Sequence, residues 1–429
     1  MHPPLDRSTL TAVEAAALAA VDEAGIGPTL LELLAVPSVT GTAAESELQH
    51  LLARRLATLD LDVDLWRMDL DALRAHPDFP GSEAPRTEAW GLVAGTRHRT
   101  DGPALILQGH VDVVPPGDQA QWEGDPFRPR TVGDTVHARG ACDMKAGLVA
   151  ILAALEAIKT AGARPRGHVS VHFVVSEEDG GLGAFGTLER GHTGDACIIT
   201  EPTSGAIMTA NAGALTFRIE VPGQATHGST RYAGVSAIDA YLPIHRALAR
   251  LESRRNADPD PLMSGYPIPY PLSVGTVQAG DWASSVPDLL VAEGRLGVRL
   301  GEDPARARAE LETSVAEACA DDPWLRAHPA TVTWPGGQFA SGRLPPGHPL
   351  AALVTQAHAE VTNGARPLER GAPYGSDLRL YAGKDIPTLQ YGPGDVRLAH
   401  GPREQVDVSD VVTVARTLVL ATLRTVGTR

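Results

Sequence analysis

The sequence predicts an α/β protein with a mainly parallel sheet, helices on both of its faces, and an inserted α+β domain of ferredoxin-like type. Three observations predict this. Short apolar runs, ALILQGHVDVV (104–114), VSVHFVV (169–175) and DACII (195–199), alternate with Ala- and Leu-rich helical stretches, the pattern of a buried parallel sheet. Near Thr209 the pattern changes to strands with polar alternation, beginning at ALTFRIEVPG (214–223). From about Gly347 the first pattern returns. A length of 429 residues also suits two domains better than one core. The expected division is a main domain over 1–208 and 339–429, with 209–338 as the insertion.

In chain order, 29–56 reads as helix, loop, helix, broken at Thr40-Gly41, with Thr42 as N-cap of the second helix. Strands follow at LDVDLWRM (61–68), WGLVAG (90–95) and 104–114, then a helix over 144–160 and the two further buried strands. The insertion carries a helix at 235–254, a Pro-rich loop at 259–271, strands at 273–280 and 289–300, a helix at 304–320 and a strand at 330–334. Two βαβ-like halves of this kind suggest the ferredoxin-like sandwich. The chain closes with a helix at 350–361, a strand at PTLQYGPG (387–394) and a helix at 408–426. No internal repeat or low-complexity tract interrupts it.

The composition, 43% apolar and 21% charged, is that of a soluble globular protein. No run approaches the roughly 20 apolar residues that a membrane span needs. A net charge of -15 argues against a nucleic-acid partner, since phosphate binding needs basic surface. The first 25 residues lack the basic start of a signal peptide, and acids interrupt their apolar positions, so the cytoplasm is the expected location. Cys142, Cys197 and Cys319 show no paired spacing, which argues against a disulfide framework or a thiolate zinc site.

Five clusters carry chemistry. His110 and Asp112 lie two apart in an extended segment and face the same side. Asp143 precedes an apolar helix, which it could merely cap. Glu177, Glu178 and Asp179 follow a buried strand, and three adjacent acids repel one another unless a cation compensates them. Glu201 follows CII, and His400 follows a glycine-rich turn. Each is ordinary alone. Together they gather at strand ends, where α/β sheets bind ligands. Two histidines and three carboxylates suit zinc, cobalt or manganese. One shared carboxylate, with one histidine and one acid per ion, makes a two-metal site, and a carboxylate not spent on metal is left to accept a proton from water.

The motifs GHVDVVP, W-x-x-DPF (Trp122 to Phe127), RGACDMKAG, SEEDGG, TEPT and YGPG…AHGPRE stand in an order that resembles the M20 metallopeptidase family, over nearly the whole chain. That family includes acetylornithine deacetylase, succinyl-diaminopimelate desuccinylase, aminoacylase-1 and glutamate carboxypeptidase. The resemblance implies a zinc-peptidase-like main domain, an inserted lid that also makes a homodimer, and two zinc ions per chain. It implies that His110 and Glu201 hold one zinc, that Glu178 and His400 hold the other, and that Asp143 bridges them. Glu177 becomes the general base, Asp112 the residue that orients His110, and His227 a lid histidine that reaches the partner's site. Glu201 is the acid that deacylating members tend to carry, so deacylation of an N-acylated amino acid or related small amine is expected. A dipeptidase or carboxypeptidase is the nearest rival. A ligand-binding protein of the same fold would have lost a ligand or Glu177, and neither is lost.

Two positions depart from the family pattern. Ser285 stands where an Asn is common, and Gly297 where an Arg grips a substrate carboxylate. Arg295 and Arg299, on the same strand face, are candidates to replace that cation, as is Arg379, with Tyr374 and Ser376 as polar contacts. A deformylase acting on a small amine without a carboxylate would also suit Gly297.

Overall fold

The structure, a computed structural model, describes residues 10–97 and 102–428. The first nine residues of the stretch read against a signal peptide lie outside it. The chain divides into two compact units: Met1–Thr209, Arg343–Arg370 and Leu380–Arg429 form the larger, and Ala210–Gly342 with Gly371–Arg379 the smaller.

In the larger unit the sheet runs in the order Leu61–Arg67, Trp90–Thr96, His168–Val174, Ala104–His110, Ala196–Ile199, Thr388–Gln390, Ile207–Asn211. The pairings among 168–174, 104–110, 196–199 and 388–390 are parallel, and the flanking pairings are antiparallel. Every residue of Leu105–His110 is buried whichever way its side chain points, so both sheet faces must be covered. The helix Ala146–Thr160 is buried over most of its length and packs on the amphipathic last helix, Val408–Val426. Thr42 does occupy the N-cap of Ala43–Ala57, but its hydroxyl donates to the Val39 carbonyl (2.6 Å) and makes no cap bond. Among the described residues no helix is long and apolar enough to cross a membrane.

The smaller unit is a β-α-β-β-α-β sandwich. Its strands lie in the order Leu272–Ala279, Leu289–Val298, Gly213–Pro222, Thr331–Thr333, all antiparallel. Gly213–Pro222 alternates buried and part-exposed residues without a break, and its buried set (Leu215, Phe217, Ile219, Val221) shares one core with the helices Ala237–Arg255 and Pro304–Asp321. Ser236 caps the first helix, and Asp303 with Pro304 at the first position starts the second.

Candidate metal centre

The parallel register sets His110 opposite Val174 and Gln108 opposite Ile199, so three strands end at nearly one level. His110 closes its strand, Glu177 and Glu178 follow the second by three and four residues, and Glu201 follows the third by two. Asp143 and His400 reach the same place from loops.

The atoms converge. His110 Nε2 lies 3.2 Å from one Asp143 oxygen and 3.8 Å from Glu201 Oε2. His400 Nε2 lies 3.4 Å from the other Asp143 oxygen and 3.1 Å from Glu178 Oε2. Asp143 thus turns one carboxylate oxygen to each histidine. Two groups have ligand atoms within 4.8 Å of one another, His110-Glu177-Glu201 and His110-Asp143-Glu178, and among the described residues no other such group forms. All are buried or nearly so, except His400, whose side chain is 55% exposed on a left-handed backbone (φ 61°). Asp143 does not cap the following helix, whose N-cap is Lys145 without a side-chain bond.

The electrostatics call for cations. Burial opposes charge on His110, yet Glu201, Asp143, Asp112 and Glu177 push its imidazole well above the ordinary value. Glu178 chiefly holds His400 up to about 11. Burial and the Asp143 charge raise the Glu178 carboxyl. Burial also works to raise Asp143, but its bonds to the two histidines outweigh that and lower it. Acids that draw protons onto neighbouring imidazoles form a donor set that divalent ions fit, the ions taking the place of those protons.

Asp112 differs from expectation. His110 Nδ1 pairs with the Asp112 backbone carbonyl (2.8 Å), while the carboxylate stands 3.6 Å away. That carboxylate instead accepts the Glu177 and Glu178 N–H groups (3.1 and 3.2 Å) and the Thr40 hydroxyl (2.9 Å). Its nearest work is therefore on the Glu177 loop. Asp179, third in the acid run, points away from the cluster. It accepts from Ser176 Oγ and from the Glu83 and Ala84 N–H groups, and it pairs with Arg86.

Sequence reasoning missed Glu404 and Arg139. Glu404 Oε1 accepts the N–H groups of both Cys142 and Asp143 (3.2 Å each), and its other oxygen pairs with the buried Arg139. The Arg139 guanidinium also lies 5.1 Å over the Trp122 ring. Glu404 stands four residues after His400, so it ties the His400 and Asp143 loops together. In sequence only its place in AHGPRE, four residues after His400, marks it. Glu404→Ala is expected to weaken divalent-ion affinity about 10–100-fold, measured by competition with a chelator, because the Asp143 backbone loses its support. Unchanged affinity would mean that the loop holds itself.

The remaining candidates lie in the smaller unit. His227 is exposed and bridges Ser285 in the backbone. Its Nδ1 accepts the Ser229 N–H (3.1 Å), which leaves Nε2 to carry the proton. A Cβ at Gly297 would stand 2.8 Å from the Tyr270 backbone, so no side chain fits there. Arg299 is spent on the unit itself: it donates to the Arg255 carbonyl (3.1 Å) and faces Glu302 and Glu310 at 3.7 and 3.6 Å, which corrects its candidacy as a substrate cation. Arg379 donates to the Ser376 carbonyl (2.8 Å) and lies 4.0 Å over the Phe339 ring. Ser376 Oγ accepts the Leu378 N–H (3.2 Å), and Tyr374 lies two residues before it. Arg295 is different. It makes one long bond, to the Pro373 carbonyl (3.4 Å), and no described carboxylate lies within 4.0 Å of it. Burial lowers its pKa.

The sequence profile of peptidase family M20/M25/M40 matches residues 106–424. An N-formyl-4-amino-5-aminomethyl-2-methylpyrimidine deformylase from Bacillus subtilis is 27% identical over 87% of both chains. A succinyl-diaminopimelate desuccinylase from Gluconacetobacter diazotrophicus is 32% identical over 79% of this chain and 84% of that one. In fold, the chain is similar to a dinuclear metal-binding peptidase of the M20 family from Bacillus subtilis, with a TM-score of 0.60, 18% identity, and coverage of 95% of this chain and 99% of that one.

Proposed function

This chain belongs to peptidase family M20/M25/M40 and is a metal-dependent hydrolase of amide bonds, and on that premise we propose that it is a cytoplasmic di-zinc deacylase of small N-acylated amino acids. The observation that carries the reading is the Asp143 carboxylate, with one oxygen turned to His110 and the other to His400. His110 and Glu201 would hold one ion, His400 and Glu178 the other, and Asp143 would serve both. Borderline-to-hard donors favour zinc, with cobalt or manganese as substitutes.

When bound, the metal pair supplies a water of lowered pKa and polarises the scissile carbonyl. The chain's residues do the rest. With His110, Glu201 and Asp143 to hold one ion and His400, Glu178 and Asp143 the other, the Glu177 carboxylate would be left to take the proton from the attacking water and hand it to the leaving amine. Asp112 holds the Glu177 N–H and so fixes where that carboxylate starts. The protonated Nε2 of His227 donates to the carbonyl oxygen as negative charge develops there.

His227 acts in trans across a homodimer in this reading. Supporting that, Leu272–Ala279 is an edge strand of the smaller unit's sheet, and Tyr232, Leu242, Val277 and Trp282 leave large apolar surface exposed in the same unit.

Arg295, without a carboxylate partner among the described residues, favours a substrate that carries one, while Tyr374, Ser376 and Arg379 belong to the segment whose Pro373 carbonyl it touches. A second reading, deformylation of a small N-formyl amine that lacks a carboxylate, draws on the deformylase relative and on the closed space at Gly297. A panel of N-acetyl, N-formyl and N-succinyl amino acids, an N-formyl aminomethylpyrimidine and dipeptides, run on zinc- and cobalt-loaded protein, separates the cases. We expect N-acyl amino acids to give the highest kcat/KM. We also expect Arg295→Ala to raise their KM about tenfold while moving kcat little. Preferred turnover of dipeptides would make the chain a peptidase, and preference for the formyl amine would support the second reading.

A further inference from the structure

Three acids at the end of one strand should repel one another, yet the loop Ser176–Gly181 is closely fixed. Its backbone makes two bonds of its own, from the Gly181 N–H to the Ser176 carbonyl (2.6 Å) and from the Gly180 N–H to the Glu177 carbonyl (3.3 Å). Ser176 sits at φ 63°, and Gly180 at φ 147°, where an added Cβ would stand 2.2 Å from the Gly81 carbonyl. Beyond these bonds the loop is held by carboxylates, two of them (Glu45 and Asp112) from outside it and one (Asp179) its own. Glu45, in the first turn of Ala43–Ala57, accepts the Ser176 N–H (3.1 Å) and the Gly41 N–H (2.7 Å). Asp112 accepts the next two N–H groups. Asp179 turns back onto Ser176 Oγ and onto the Glu83 and Ala84 N–H groups.

This arrangement buries Glu45 and Asp179 beside the negative charge of the metal cluster. Isolated buried carboxylates would protonate or pull apart. Arg86 opposes that at Glu45, where burial and the Asp112 charge still raise the carboxyl to about 8. Its side chain is fully buried, with Nη1 3.1 Å from Glu45 and Nη2 3.4 Å from Asp179. The planar fork of an arginine spans two carboxylates in a way that an ammonium cannot. The cation comes from the Phe79–Arg86 loop, far in sequence from any cluster that reads as functional.

We propose that Arg86 is a positioning residue for the general base: by joining Glu45 and Asp179 it fixes the Ser176–Gly181 loop and aims Glu177. The proposal rests on Glu177 as the base. It assigns the third acid of the run a structural task, and only Glu177 and Glu178 a chemical one.

The test uses the full-length, zinc-loaded protein with the best substrate of the panel. Arg86→Gln is expected to keep two ions per chain and to lower kcat about 100-fold, the scale of an ångström-sized misplacement of a catalytic group. KM should stay within about threefold, because substrate binding is untouched. Placed on Glu177→Ala, the same change should cost less than about threefold more, since the group it aims is already gone. Backbone amides of 176–181 should exchange hydrogen about tenfold faster in Arg86→Gln, with the central strands unchanged. If Arg86→Gln does not fold, Arg86→Lys carries the same measurements, with an expected loss of about tenfold in kcat because one ammonium cannot bridge both acids. Losses that multiply in the double variant, or unaltered exchange over 176–181, would overturn the proposal. If the wild type hydrolyses nothing in the panel, the functional reading fails, and the exchange measurement alone decides the role of Arg86.

Discussion

Glu177→Ala is expected to retain two divalent ions per chain and to lose roughly 10²–10⁴-fold in kcat, the range of general acid–base catalysis. The carboxylate lies in the same group as His110 and Glu201, close enough to coordinate as well as to accept a proton. Its assignment as base rests on counting: without it, each ion would still have a histidine, an acid and the shared Asp143. Removing a base leaves ions in place and stops proton transfer, whereas removing a ligand drops affinity. Metal analysis beside steady-state kinetics separates the two. Glu177→Gln, which keeps the shape and loses the basicity, should fall as far as Ala. Near-normal kcat in either variant would take the base role from Glu177, and loss of an ion would make it a ligand.

Asp143→Ala should have the opposite profile. Its two oxygens face His110 at 3.2 Å and His400 at 3.4 Å, so one truncation takes a donor from both ions. Bound metal is expected to fall below two per chain and activity to fall to background, with excess zinc restoring little. Glu178 and Glu201 would be left without the carboxylate that both histidines pair with, and the site would lose its shared centre. Two ions per chain in this variant, measured after gel filtration, would show that Asp143 does not bridge.

The fold was legible because burial writes itself into strands. ALILQGH and VHFVV could only be interior, and their parallel register follows from the helices between them. His110, Glu178 and Glu201 were legible for the same reason, being the polar residues at which such strands stop. Asp143 was ambiguous, since an acid before an apolar helix is also a cap. What stayed hidden was the support. Glu404 and Arg139 meet across more than 250 residues of chain, and Arg86 meets Glu45 and Asp179 across about 40 and 90. No local pattern records such meetings. Asp112 shows a finer limit: the period of two set it on the same side as His110, but not that its carbonyl would take the imidazole and its carboxylate the neighbouring loop. Arg299 shows another: the strand ends at Val298, one residue short of it, and Glu302 and Glu310 face its guanidinium.

The most direct test of the central claim is anomalous diffraction from crystals of the zinc-loaded protein. The account predicts two peaks roughly 3.5–4 Å apart, one beside His110 and Glu201 and one beside His400 and Glu178, with Asp143 between them. A single peak, or a pair held by other residues, would contradict it.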